Sequence, residues 1–106
     1  MRRGLYLVTP DLLDTDALLA AVATVLPARP AIVQYRNKLA DAALKREQAS
    51  RLLALCRAAG VLLVINDSLA LALEIGADGA HLGRDDGDPA LARAALGPGR
   101  ILGVSC

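Results

Sequence analysis

The chain has 106 residues, 55% hydrophobic and 22% charged, a balance that suits one folded domain and excludes a disordered segment. With 12 basic and 11 acidic residues its net charge is +1, which excludes the cationic stripe of a general nucleic-acid binder. Tyr6 and Tyr35 are its whole aromatic set, too few to form a platform for stacked bases.

Leu5 to Thr9 reads as a strand closed by Pro10. Asp14 to Leu26 reads as a helix, with Asp14 or Thr15 as N-cap and Pro27 as terminator. Ala31 to Arg36 is a second strand. Asp41 caps a helix running to Ala59, where Gly60 provides a left-handed stop. Leu52, Leu55, Cys56 and Ala59 recur on one face of it, and Lys45, Arg46, Glu47 and Arg57 are expected to reach water. Val61 to Ile65 is a continuous apolar run, the pattern of a strand covered on both faces. Leu69 to Ile75 is a short helix ended by Gly76, and Gly79 to Leu82 a fourth strand. Asp88-Pro89 is an N-cap with proline at the first helical position. That helix ends near Gly97-Pro98-Gly99, and Ile101 to Val104 is a fifth strand.

Strict β-α alternation with short connections implies parallel strands. It leaves open whether the sheet is doubly wound or a segment of a barrel. A whole (β/α)₈ barrel takes about 200 residues or more, so on the barrel reading the chain is expected to be a truncated half. The apolar run after Arg2 and Arg3 is cut by Pro10 and Asp11, too short for a signal peptide. The stretch from Leu52 to Ile65 is broken by Arg57 and Gly60 and is too short to span a bilayer. Cys56 and Cys106 belong to no zinc-type cluster and read as free thiols in a reduced compartment. A cytoplasmic location is expected.

Hydrophilic residues gather at the C-terminal ends of the strands, the edge where α/β proteins bind ligands. Gln34, Arg36 and Lys38 follow the second strand, Asn66 and Asp67 the third, His81, Arg84, Asp85 and Asp86 the fourth, and Ser105 the fifth. Gln34, Arg36 and Lys38 alternate and would share a face if the strand continued. Two cations side by side are reconciled by an anion, with Arg forking onto a phosphate and Lys adding a point charge; a solvated strand end is the plain alternative. Asp67 reads either as an oxygen ligand for Mg²⁺ or, like Ser68, as the cap of the next helix. Asp85 and Asp86 offer a further carboxylate, and Mg²⁺ typically takes one or two carboxylates, waters and phosphate oxygens. The lone histidine, His81, reads more simply as a packed strand residue than as a catalyst. The glycines at 76, 79 and 83 make no dinucleotide fingerprint.

The segments GLYLVTP (4–10), QYRNK (34–38), IND (65–67), GADGAHLGRDD (76–86) and ILGVS (101–105) together resemble the thiamine-phosphate synthase family (thiamine-phosphate pyrophosphorylases) over almost the whole chain. The resemblance implies a (β/α)₈ TIM-barrel segment, about β1-α1 to β5, with residues 1–106 forming the N-terminal half of a single barrel domain. It implies a transferase of thiamine biosynthesis that joins hydroxymethylpyrimidine diphosphate to thiazole phosphate, releasing pyrophosphate, with Mg²⁺ as cofactor. On it, Arg36, Lys38 and Ser105 are the catalytic residues that hold the diphosphate. Asn66 assists them, Gln34 lies by the pyrimidine, and Asp67 and Asp86 ligate the metal. The expected partners are the two small-molecule substrates, with no nucleic acid or membrane, and self-association of a half-barrel. The family's chemistry is a dissociative loss of pyrophosphate followed by attack of the thiazole nitrogen. It needs charge neutralisation more than acid or base, in keeping with a sequence that shows no nucleophile-base pair.

Arg84 stands where many members have Gln. A further phosphate-contacting lysine and the thiazole-phosphate site come from later strands in the family, so 106 residues alone are expected to show no appreciable turnover. The alternatives are a related thiazole tautomerase, which lacks this cation-and-aspartate set, and a non-catalytic half-barrel that binds Mg-diphosphate or self-associates.

Overall fold

The computed structural model describes residues 6–82, 89–97 and 100–104. In chain order the elements are β1 (Tyr6–Val8), α1 (Thr15–Val25), a 3₁₀ turn (Leu26–Ala28), β2 (Ile32–Tyr35), α2 (Ala42–Ala58), β3 (Leu62–Asn66), α3 (Leu69–Ile75), β4 (Gly79–Leu82), α4 (Pro89–Leu96) and β5 (Ile101–Val104). All strand pairs are parallel, in the order β1-β2-β3-β4-β5. A doubly wound sheet reverses its strand order at a switch point; this sheet never does.

Alternation along the strands gives the sheet two unlike faces. Val33, Tyr35, Leu63, Ile65, Ala80 and Leu82 join one core cluster with Leu18 and Val22 of α1, Leu52 and Cys56 of α2, Leu71 and Ala72 of α3, and Leu96 of α4. All four helices therefore cover the same face. On the other face the register sets Val8, Gln34, Val64, Gly79 and Ile101 in one row. Asn66 and His81 pair one step nearer the C-terminal edge. Helices on one side of a sequentially ordered parallel sheet are the arrangement of a (β/α)₈ barrel segment, with the second face turned to the barrel interior.

Local chemistry accounts for the boundaries. The Asp14 carboxylate accepts from the N–H groups of Asp16 and Ala17 at 3.0 and 3.2 Å, so Asp14 and not Thr15 caps α1. Pro27 does not stop the chain at once: it enters the 3₁₀ turn, and Arg29 closes that turn with φ 56°. The Asp41 side chain caps α2 through the Leu44 N–H at 2.8 Å. Leu52 and Cys56 are fully buried, but Ala59 ends the helix exposed to water instead of extending its apolar face. Gly60 and Gly76 take φ 73° and 72° after α2 and α3. Gly79 has a different reason: a Cβ there would lie 2.2 Å from the Ile101 carbonyl oxygen, so β4 and β5 approach as they do only because no side chain intervenes. No described helix is long and apolar enough to cross a membrane.

Candidate functional site

β2 ends at Tyr35, one residue earlier than the hydrophobic pattern predicts, because the Arg36 backbone is taken up by a side chain. The Thr9 hydroxyl accepts from the Arg36 N–H at 3.0 Å and donates to the Arg36 carbonyl at 3.1 Å. Arg36 and Lys38 thus stand on the β2–α2 loop and do not share a strand face with Gln34; the loop, not strand alternation, brings all three together.

Gln34, Arg36, Lys38, Asn66, Asp67 and His81, with Val8, line one cavity of about 380 Å³ at the C-terminal edge. A smaller recess of about 70 Å³ adjoins it and shares Arg36, Lys38, Asn66 and Asp67, adding Lys45 from α2. Lys45 is half-buried, reaching water in part as its helix position suggested while also lining this recess. Among the described residues the ion pairs are Arg46–Glu74 and Arg51–Asp16, so no described carboxylate pairs with Arg36 or Lys38.

The amides are ordered too. Gln34 Nε2 donates to Asn66 Oδ1 at 3.0 Å, which leaves the Asn66 amide N–H groups and the Gln34 carbonyl oxygen to meet a ligand. Asp67 takes a left-handed φ of 61° and its N–H donates to the His81 carbonyl at 2.7 Å. Ser68, not Asp67, caps α3: its hydroxyl accepts from the Leu71 N–H at 3.1 Å. The capping alternative for Asp67 falls away, and its exposed carboxylate lines the cavity. A non-glycine residue held at positive φ beside a polar cavity is a recurrent sign of functional constraint. Asp86 and Ser105, with Arg84, Asp85 and Cys106, lie outside the described residues.

Three residues around this edge escaped sequence reasoning: Thr9, Asn37 and Gln48, all buried. Gln48 carried a signal, for it sits at i, i+4 and i+8 with Leu52 and Cys56 on the stripe that faces the core. Cys56 is a buried free thiol whose burial, with a smaller contribution from Asp78, pushes it up to about 11.

Five parallel strands in sequential order with helices on one face define a class, the TIM-barrel proteins, whose sites lie at the C-terminal ends of their strands, the edge where the two cations, two amides and a carboxylate gather here. The model of the thiamine monophosphate synthase family matches residues 5–106, and the chain belongs to that family. It is 62% identical over 104 residues to the thiamine-phosphate synthase of Azoarcus sp. (strain BH72), a match covering 98% of this chain and 50% of the relative. With that of Xanthomonas campestris pv. campestris (strain 8004) it shares 58% over the same length, again half of the relative. The thiamine phosphate pyrophosphorylase from Pyrococcus furiosus superposes with a TM-score of 0.82 at 28% identity, covering 97% of this chain and 50% of that one. The chain thus spans about half the length of the relatives it matches.

Proposed function

We propose that this chain carries the diphosphate- and metal-binding half of a thiamine-phosphate synthase. The whole protein would be a transferase that condenses hydroxymethylpyrimidine diphosphate with thiazole phosphate. The observation that carries the reading is the convergence of Gln34, Arg36, Lys38, Asn66 and Asp67 on one polar cavity. Arg36 offers a planar fork of donors and Lys38 a point charge, a pair suited to phosphate oxygens. The Asn66 N–H groups add neutral donors, and the Gln34 carbonyl oxygen is left to accept from an amino group such as the pyrimidine's. Because the anion replaces water around both cations, charge developing on a departing pyrophosphate would meet groups already oriented towards it. In the same reading Ser105 contacts the diphosphate.

The donor set also fits a hard divalent cation. Asp67 is an exposed carboxylate at the rim of the cavity, and Mg²⁺ characteristically combines one or two carboxylates with waters and phosphate oxygens. Asp67 and Asp86 would hold it, and it would supply further neutralisation of the diphosphate charge. A cytoplasmic location accompanies this reading.

Calorimetric titration of the 106-residue chain with pyrophosphate, with and without Mg²⁺, tests it. Binding that needs Mg²⁺ and is lost in Arg36→Ala supports the proposal; no binding, or binding indifferent to Arg36, sinks it. A second reading is that the chain self-associates, which the uncovered sheet face supports. Val8 at the β1 edge is 46% exposed, Ile32 and Gln34 on the same face are half-buried, and β1 and β5 each have one neighbour. Sedimentation velocity checks it, a monomer at all concentrations excluding it.

A further inference from the structure

Among the described residues, the buried polar side chains are Thr9, Asn37 and Gln48. All three lie at one place, beneath the segment that carries Arg36 and Lys38. Burying an amide is costly unless its hydrogen bonds are all remade, and a core needing only volume would use Leu or Met at position 48. Here, among the described residues, no buried side-chain nitrogen or oxygen is left without a partner. Gln48 Oε1 accepts from the Tyr35 hydroxyl at 2.7 Å and from Asn37 Nδ2 at 2.9 Å. Gln48 Nε2 and Asn37 Nδ2 both donate to the Leu12 carbonyl, at 2.9 and 2.7 Å. Asn37 Oδ1 accepts from the N–H groups of Leu39 and Ala40 at 3.0 and 3.3 Å.

The loop is thereby gripped from several sides. Thr9 holds both polar groups of the Arg36 backbone, and the Asp11 carboxylate accepts from the Lys38 N–H at 3.2 Å. Asn37, between the two cations, points inward into the amide network while Lys38 is left exposed and Arg36 half-buried. Tyr35 supports the arrangement: burial, the largest cause, pushes its hydroxyl up to about 12, so it remains a donor to Gln48. A buried network in which each polar side-chain atom has a partner favours one geometry.

We propose that Thr9, Asn37 and Gln48, with Tyr35, are positioning residues that hold the Arg36–Lys38 segment in the geometry that turns its two cations towards the cavity. This rests on the anion-binding reading of that cavity and names residues that are not themselves in the lining of the larger cavity.

The test compares Gln48→Met and the milder Tyr35→Phe with the parent chain. Amide hydrogen exchange is the first readout. The N–H groups of Arg36, Leu39 and Ala40 should exchange at least about tenfold faster in Gln48→Met, while those of β3 stay unchanged, because local opening is separable from global unfolding. Tyr35→Phe should shift the same amides less, and it carries the test if Gln48→Met does not fold. The second readout is affinity for magnesium pyrophosphate, expected to fall roughly tenfold in Gln48→Met and to fall no further when Gln48→Met is added to the Arg36→Ala/Lys38→Ala pair. Unaltered exchange at 36–40 relative to β3 overturns the proposal, and so does an affinity loss of equal size with the cations removed. If the parent chain binds no magnesium pyrophosphate, the anion-site reading fails instead, and exchange alone decides the positioning claim.

Discussion

The two faces of the sheet divide the work. On the helix-covered face Val33, Tyr35, Leu63, Ile65, Ala80 and Leu82 are almost wholly withdrawn from water and share one cluster with residues of every helix. On the other face Gln34, Asn66 and His81 remain partly exposed beside the cavity. Apolar burial is the main favourable term in folding, so most of the stability resides on the first face; the second adds Val64 and holds polar groups at its C-terminal edge in positions that contribute little to the fold. Outside the Tyr35–Asn37–Gln48 network, which reaches from the covered side to the β2–α2 loop, changes to one face should therefore leave the other's observable nearly untouched.

The sharpest way to break that division is a cavity on the covered face. Leu52→Ala, at a site with no exposure, should lower unfolding free energy by about 2–5 kcal/mol, read by urea denaturation. At temperatures where the variant is folded its pyrophosphate affinity should equal the parent's; a large affinity loss there would mean that the faces are coupled. The converse is Arg36→Ala, expected to weaken magnesium pyrophosphate binding by roughly 10- to 100-fold, the range of a charge-assisted hydrogen bond, with the unfolding midpoint unchanged. A comparable drop in stability would count against a functional role for this cation.

Gly79→Ala probes the seam between β4 and β5. Its Cβ would meet the Ile101 carbonyl, so β4 and β5 must separate, at a cost of about 1–3 kcal/mol; parent-like stability would show that the strands yield freely. Alkaline pH sharpens the comparison from the covered side. Cys56 is raised from 9.0 to about 11 and Tyr35 from 10.0 to about 12, each chiefly by burial. The unfolded chain then releases these protons before the folded one, so stability is intact below pH 9 and falls as pH rises towards 12. Cys56→Ala should remove the lower part of that fall, and an identical pH profile in the variant would rule out the thiol as its source. The smallest effect is expected from Ser68→Ala, about 1 kcal/mol for a lost N-cap. Its pyrophosphate affinity should be unchanged, as follows if Ser68 caps α3 and Asp67 alone of the pair faces the cavity.

Much of this was legible beforehand, and for local reasons. The five described strands and four described α-helices follow from hydrophobic period, prolines and glycines, with caps at α1 and α2; the predicted α4 cap, Asp88, lies outside the described residues. The polar strand ends alone point to Gln34, Arg36, Lys38, Asn66 and Asp67. What misled was also local: the alternation of Gln34, Arg36 and Lys38 suggested a continuing strand, because nothing near them in sequence shows that Thr9, 27 residues earlier, takes the Arg36 backbone out of the ladder.

The sequence by itself determined the elements, their parallel sense and the residues that gather at one edge, because propensity, periodicity and capping act within a few residues. Only the tertiary structure decided that the strands run in unbroken order with helices on one side, that Ser68 and not Asp67 caps α3, and that Asn37 and Gln48 form one network. Those outcomes depend on which side chains meet across long stretches of chain, a choice made by packing and by the requirement that every buried polar group find a partner.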